Sequence, residues 1–535
     1  MNLTYMVSSK IKSTNCSNED ILMIEKKENN HIMLEIKALK EVSLIEANYL
    51  TDFKFNKKDL LFFNGYQTWT DSFENNYLKL EHNLYRGKHL IVKKWALDKY
   101  GDASFYNYKL DKIHGYDLFY SKGENQAFIY NLNYKNAYLI VEFKRFLKKL
   151  ELISDISNVS LKEGDSFNVF DFKMFNNYLV GYDSFKKDFS INNCEKIFGY
   201  TSWYNYYQNI NEDIIKRDLK ALDSRFNLFQ IDDGYESFVG DWLDIDKNKF
   251  PNGLKNIVDE IHNKGLKAGI WLAPFVAEEK SKLFNEHKDW FKRYSNGKFV
   301  KCGCNWSGFY ALDISKEEVK NYIKECLDYF KNLGFDFFKL DFLYAVGLSL
   351  YNNKTRSQVQ EEAYQFLKDC LSDKIILGCG ATLFNSYKKF DYLRIGPDVS
   401  LKFDDVLYMR KMHRERNSTK VTLQNTIYRS FINNIMFNND PDVFLLRDEN
   451  LELSKENREA LITINSLFGN VLMTSDNIAT YDNEKKELVN RALDLFYKSK
   501  NKSFKTNKRY IVVSYDLNDV HYNFKYDKKR GKLIW

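Results

Sequence analysis

The chain has 535 residues, 44% hydrophobic and 16% aromatic, with 80 basic and 73 acidic side chains and a formal net charge of +7. That is longer than one ordinary domain and too apolar to be disordered. The two signs of charge are interspersed and the longest basic run is Lys528-Lys529-Arg530, which argues against a nucleic-acid partner; no apolar run approaches the roughly 18 residues of a membrane span.

The first twenty residues, MNLTYMVSSKIKSTNCSNED, lack the apolar stretch of a secretion signal. Seven cysteines, an odd number with no CxxC pair, fit a reducing compartment, so a cytoplasmic location is expected. Cys302-Gly303-Cys304 has the wrong spacing for a zinc pair, and the eight histidines contain no HExxH. Neither a metal nor another cofactor is expected.

Residues 1–185 read as short alternating strands, among them 32–36, 137–141 and 167–170, parted by Asn, Asp and Gly. The pattern predicts an N-terminal antiparallel β-sandwich domain. Near residue 195 the texture changes to apolar runs alternating with amphipathic helices. Strands are expected at 197–200, 227–231, 266–272, 335–342, 375–377, 393–395, within 435–444, and at 471–473. Helices are expected at 212–225 and 254–263, with a long excursion over 277–310. Ser315 and Glu318 form a capping box ahead of a helix whose apolar stripe is Val319, Ile323, Cys326, Leu327 and Phe330. The alternation predicts a central (β/α)8 TIM barrel over 186–484. A doubly wound sheet is the alternative, but no GxGxxG follows an early strand. Residues 485–535 read as one helix and a small C-terminal β domain.

In such a barrel, chemistry sits at the C-terminal ends of the strands. There the sequence places Trp203 after the first strand, Asp232 and Asp233 after the second, and Lys339 and Asp341 on the fourth. Cys379 ends the fifth, and Arg394 lies on the sixth with Asp398 in the loop beyond. Period-two alternation puts Lys339 and Asp341 on one face of their strand. Several carboxylates at one rim repel, and burying them is costly unless cations or hydrogen bonds compensate. Lys339 and Arg394 can supply that charge. A carboxyl pair without a metal or cofactor motif points to glycoside hydrolysis, one group attacking the anomeric carbon and the other protonating the leaving oxygen. Trp203 and Trp271 offer flat faces for a sugar ring.

The chain resembles glycoside hydrolase family 36, the α-galactosidases, in its compact bacterial form. The resemblance rests on segments in family order: FNGYQTW (63–69), GYTSWYNYY (199–207), FQIDDGYE (229–236), GDWLDIDKNKFPNGLK (240–255), KAGIWLAPF (267–275), FFKLDF (337–342), LGCG (377–380) and LRIGPDV (393–399). It implies Asp341 as nucleophile and Asp398 as acid/base. It implies that Asp232 and Asp233 grip O4 and O6 of the sugar, and that Lys339 binds hydroxyls beside the nucleophile. Arg394 and Cys379 would line the O2 side and floor, Trp203 would form a wall, and Trp69 would reach in from the N-terminal domain. Asp404 and Asp405 are expected to open a helix and bind no sugar.

The implied function is retaining hydrolysis of terminal α-galactosides such as melibiose or raffinose-type sugars, with an α-galactoside oligosaccharide as the only partner apart from possible self-association. Two features depart from the family. Val399-Ser400-Leu401-Lys402-Phe403 carries no Trp where compact relatives place an aromatic residue. Gly380-Ala381-Thr382-Leu383 is not glycine-rich, which leaves an N-acetyl group at C2 as an alternative. A transglycosylase on the same scaffold and a non-catalytic galactose-binding protein are the other readings. Asp398 must begin protonated. The lack of an equally close cation would allow that, with Arg394 opposing it mildly.

Overall fold

The computed structural model describes residues 1–76, 90–109, 111–157, 159–192 and 194–535. The N-terminal part contains two antiparallel sheets. One runs Lys10–Thr14, Asn2–Val7, Val42–Leu50, Lys149–Ser154, Leu139–Lys144, Lys112–Tyr116. The other runs Ile21–Glu28, His31–Ala38, Ser166–Phe175, Ala127–Asn131, Leu118–Lys122, Leu60–Phe63, Phe73–Asn75. Alternation supplies the core. In His31–Ala38 the residues Ile32, Leu34, Ile36 and Ala38 turn inward and join Leu3, Tyr5, Leu139 and Val141 from the other sheet in one apolar cluster.

The second part is an all-parallel sheet. Its order is Asn438–Asp440, Tyr392–Arg394, Ile375–Gly378, Phe337–Leu340, Lys267–Leu272, Leu228–Ile231, Ile197–Thr201, Val471–Thr474, Val443–Phe444. Every pairing along it is parallel. The two end strands are separated in the chain only by Pro441 and Asp442, so the sheet curls until its margins meet in one stretch of backbone. The strands are buried on both faces, which is why they read as unbroken apolar runs.

Helix Glu317–Leu333 buries the whole expected stripe, Val319, Ile323, Cys326, Leu327 and Phe330. Its expected capping box is absent. Lys316 occupies the cap position without a side-chain bond, and the Ser315 hydroxyl donates instead to Asp313 Oδ1 at 2.6 Å. A nearer carboxylate outcompeted the backbone amides for that hydroxyl. The excursion folds into a small antiparallel sheet of Val276–Glu278, Phe309–Ala311 and Lys301–Gly303. Beyond helix Asn483–Lys498, four antiparallel strands, Lys500–Thr506, Tyr510–Leu517, Val520–Asp527 and Lys532–Ile534, close the chain. Among the described residues no helix is long and apolar enough to cross a membrane.

Arg429 ties the N-terminal sheets to the parallel one. It is 0% exposed and donates to the carbonyls of Thr68 (2.7 Å), Ile395 (2.8 Å) and Gln67 (3.2 Å) and to Asn64 Oδ1 (3.2 Å). Burial pulls its guanidinium down to about 9. The Thr68 amide also donates to the Ala381 carbonyl at 2.9 Å. The 64–70 loop is thereby fixed across the C-terminal edge of the parallel sheet.

Candidate active site

Strand Phe337–Leu340 delivers Lys339 and, just beyond its end, Asp341. Lys339 Nζ meets Asp232 Oδ2 at 2.8 Å, both groups being buried. Asp232 also accepts from Gln230 Nε2 (2.6 Å) and Thr201 Oγ1 (3.2 Å), and its amide donates to Ser202 Oγ (2.9 Å). Asp233 accepts from Gln208 Nε2 at 3.0 Å and from Trp306 Nε1 at 2.8 Å. Burial pushes Asp233 above the usual carboxylate range. Asp341 accepts from Trp271 Nε1 at 3.0 Å and from the Phe342 amide at 2.8 Å. Burial raises it to about 6, against the pull of Lys339 and with a further push from Asp398. Lys339 therefore acts in the direction expected, but desolvation is the larger effect.

Asp398 has its side chain 29% exposed. Arg394 stands against it, NH1 to Oδ1 at 3.0 Å. The expectation that Arg394 opposes protonation of Asp398 only mildly, with no equally close cation, is thus corrected: the loop from Arg394 to Asp398 is so short that residues four apart meet. The same guanidinium also holds Asp440 and Asp442.

Asp341 and Asp398 line one cavity of about 280 Å³, at the small end for a ligand site. Its wall includes Trp69, Trp203, Asp232, Asp233, Trp271 and Lys339. Of the sequence-derived candidates, Arg394 and Cys379 are not on the wall. Both are buried beneath it, where Arg394 reaches the cavity through Asp398 and burial drives the Cys379 thiol well up. Trp306, Tyr100, His413 and Glu415 line the cavity without having been singled out. Trp306 sits in the excursion, whose residues carry no strand periodicity. His413 and Glu415 follow a short helix, Leu407–Met412. Asp404 does not cap that helix, for which Val406 takes the cap position. It pairs with Arg416 at 2.9 Å and accepts from Ser418 Oγ at 2.8 Å. Among the described residues no group of three or more His, Cys, Asp or Glu is arranged to hold a metal.

The family model described as Melibiase matches residues 186–372. α-Galactosidase Mel36A of Lactobacillus acidophilus is 30% identical over 172 residues, covering 30% of this chain and 23% of that protein. α-Galactosidase AgaA of Geobacillus stearothermophilus is 28% identical over 134 residues, covering 24% and 18%. Over its central part this chain is similar in sequence to α-galactosidases.

The sequence matches span less than a quarter of the length of these curated relatives. The likeness in fold is wider. TtGalA, an α-galactosidase from Thermus thermophilus solved with p-nitrophenyl α-D-galactopyranoside, superposes with a TM-score of 0.70 at 21% identity. The match covers 97% of this chain and 98% of that one. The crystal structure of AgaA gives 0.60 at 12% identity, covering 92% and 72%.

Where an aromatic residue was expected after Asp398, the Val399 amide is tied to Asp442 Oδ2 at 2.7 Å, and Leu97, Met409 and His413 face the cavity instead. After Cys379, Gly380 has a left-handed backbone (φ 58°), and a Cβ there would lie 3.1 Å from the Trp69 ring. Trp69 therefore packs directly on the loop that follows Cys379.

Proposed function

We propose that this protein removes terminal α-linked galactose from oligosaccharides such as melibiose or raffinose-type sugars, with retention of configuration. The observation that carries the proposal is the shared cavity: Asp341 and Asp398 front it together with Asp232, Asp233 and Lys339. Its frame is a closed (β/α)8 barrel over 186–484, between a β-sandwich over 1–185 and a small β domain over 485–535. The joins lie near helices Tyr178–Asp188 and Asn483–Lys498.

In the first step the Asp341 carboxylate attacks the anomeric carbon as the bond to the leaving oxygen breaks, and Asp398 gives that oxygen its proton. A β-linked galactosyl-enzyme results. In the second step Asp398 takes a proton from water, whose oxygen displaces Asp341. Asp232 and Asp233 receive the O4 and O6 hydroxyls, and Lys339 a neighbouring one. Trp203, Trp271 and Trp69 wall the ring, while Arg394 and Cys379 shape the O2 side from beneath. Retaining enzymes of this kind hold their carboxyl pair about 5–5.5 Å apart.

Named relatives support the reading: TtGalA has been solved with stachyose, and an AgaA variant with raffinose. All seven cysteines are unpaired, which fits a cytoplasmic location.

The test is a panel of aryl α-glycosides: galactoside, glucoside and N-acetylgalactosaminide, with product analysis in the presence of sugar acceptors. Release from the galactoside with retained configuration is expected. Release from the glucoside alone would overturn the role given to Asp232 and Asp233, and preference for the N-acetyl substrate would reassign the O2 side.

A further inference from the structure

Behind Asp398 one positive charge faces three carboxyl groups. Arg394 Nε reaches Asp440 Oδ2 at 2.9 Å, NH1 reaches Asp398 Oδ1 at 3.0 Å and NH2 reaches Asp442 Oδ1 at 3.0 Å. Asp440 and Asp442 are almost wholly buried. Three ionised carboxylates around one guanidinium would leave net negative charge out of water, so the cluster favours retaining a proton.

Asp442 is placed to influence where that proton rests. Its Oδ2 accepts from Tyr204 OH at 2.5 Å and from the amide of Val399, the residue after Asp398, at 2.7 Å. Its own amide donates to Asp440 Oδ1 at 2.8 Å. It has a left-handed backbone, φ 75°, a conformation that costs a non-glycine residue energy and is kept only where the surroundings hold it. The ionisable groups facing it are Arg394, Asp398, Asp440 and Tyr204. Tyr207 faces Asp398, and the Arg447–Asp476 pair lies behind Tyr204. Burial lifts Asp442 to about 7, with Arg394 pulling it down and the two other carboxyls pushing it up.

We propose that Asp442 is a positioning residue that takes a share of Arg394's charge and so lets Asp398 hold the proton it must donate. The inference rests on the reading of Asp398 as the acid/base. Above about pH 7, where Asp442 is ionised, it competes for the guanidinium and sets a second negative charge beside Asp398, which opposes ionisation there.

Asp442→Asn removes the competitor and leaves Arg394 to favour ionised Asp398. The alkaline limb of kcat/KM is expected to move down by about one pH unit. On that limb, turnover of a disaccharide should fall by roughly tenfold, and turnover of a nitrophenyl galactoside, whose leaving group needs little protonation, by much less. Tyr204→Phe removes only the hydroxyl donor to Asp442, favours its neutral form, and should shift the limb the same way by a smaller amount. This second variant decides the matter if Asp442→Asn does not fold. An unmoved limb, or equal losses on both substrates, overturns the proposal while leaving the hydrolase reading intact. Wild-type protein inactive on every α-galactoside would overturn both.

Discussion

Lys339 pairs with Asp232, 2.8 Å away across the site, although Asp341 lies only two residues along its own chain. The pair is buried, and its worth lies in what happens when it is broken. Removing one partner strands the other charge away from water, a loss of about 3–5 kcal/mol. Lys339→Met should therefore lower stability to urea by about that amount, and Lys339→Met/Asp232→Asn by clearly less. Equal destabilisation of single and double variants would show that the charges are not coupled. Lys339 also draws Asp341 downward, so its loss should raise the acidic limb of kcat/KM.

Asp341 links activity to stability with opposite signs. Its folded value is raised to about 6 from 3.8. Below the unfolded value both states carry the proton and there is no difference. Above about 6 both states are ionised and the folded state bears the full penalty, roughly 2–3 kcal/mol. Asp341→Asn should abolish turnover, by at least about a thousandfold, yet raise the midpoint of unfolding at neutral pH and not near pH 3. In the wild type, activity should rise with pH through about 6 as Asp341, the proposed nucleophile, ionises. An Asn variant no more stable than wild type at neutral pH would contradict the burial penalty.

Trp306 donates to Asp233 Oδ2 at 2.8 Å. A hydrogen bond to a charged group contributes about 1.5–3 kcal/mol, so Trp306→Phe should raise KM by roughly tenfold or more with kcat little changed. The ring would remain to pack on Phe342 and Phe309, so a collapse of kcat with KM unchanged would point to a different role.

The strand-end acids were legible in the sequence because strand geometry places them. Alternation puts Lys339 and Asp341 on one face, and the family segments mark Asp232, Asp233 and Asp398. Trp306 and Gln208 were not legible, since both lie in connections without periodicity and meet Asp233 only through tertiary folding. The role of Asp440 and Asp442 was hidden in the same way. The 435–444 segment reads as one strand candidate without firm bounds, whereas the structure breaks it at Pro441 into two short strands that flank Asp442. Ser315 followed a helix-start rule that Asp313 overrode. The share of Arg394's charge reaching Asp398 could not be read either, because its competitors, Asp440 and Asp442, come from a distant segment of the chain.

Arg429 offers the sharpest check on how the N-terminal sheets serve the site. Its guanidinium is fully buried, and among the described residues no carboxylate forms an ion pair with it; its partners are three carbonyls and one side-chain amide. Two of those carbonyls belong to Gln67 and Thr68, immediately before Trp69 on the cavity wall. Arg429→Met would leave several buried acceptors unpaired at about 1–3 kcal/mol each, less whatever is recovered by no longer burying a charge. A net loss of about 2–4 kcal/mol in stability is expected. Arg429→Lys should recover little of it, because one ammonium cannot span contacts that a planar fork reaches together. The loop holding Trp69 should loosen in both variants, so KM should rise even at temperatures where the protein stays folded. Hydrogen exchange at the Thr68 amide, which donates to Ala381, would report the loosening directly. Unchanged protection there, with KM at the wild-type value, would mean that the loop holds its place without Arg429.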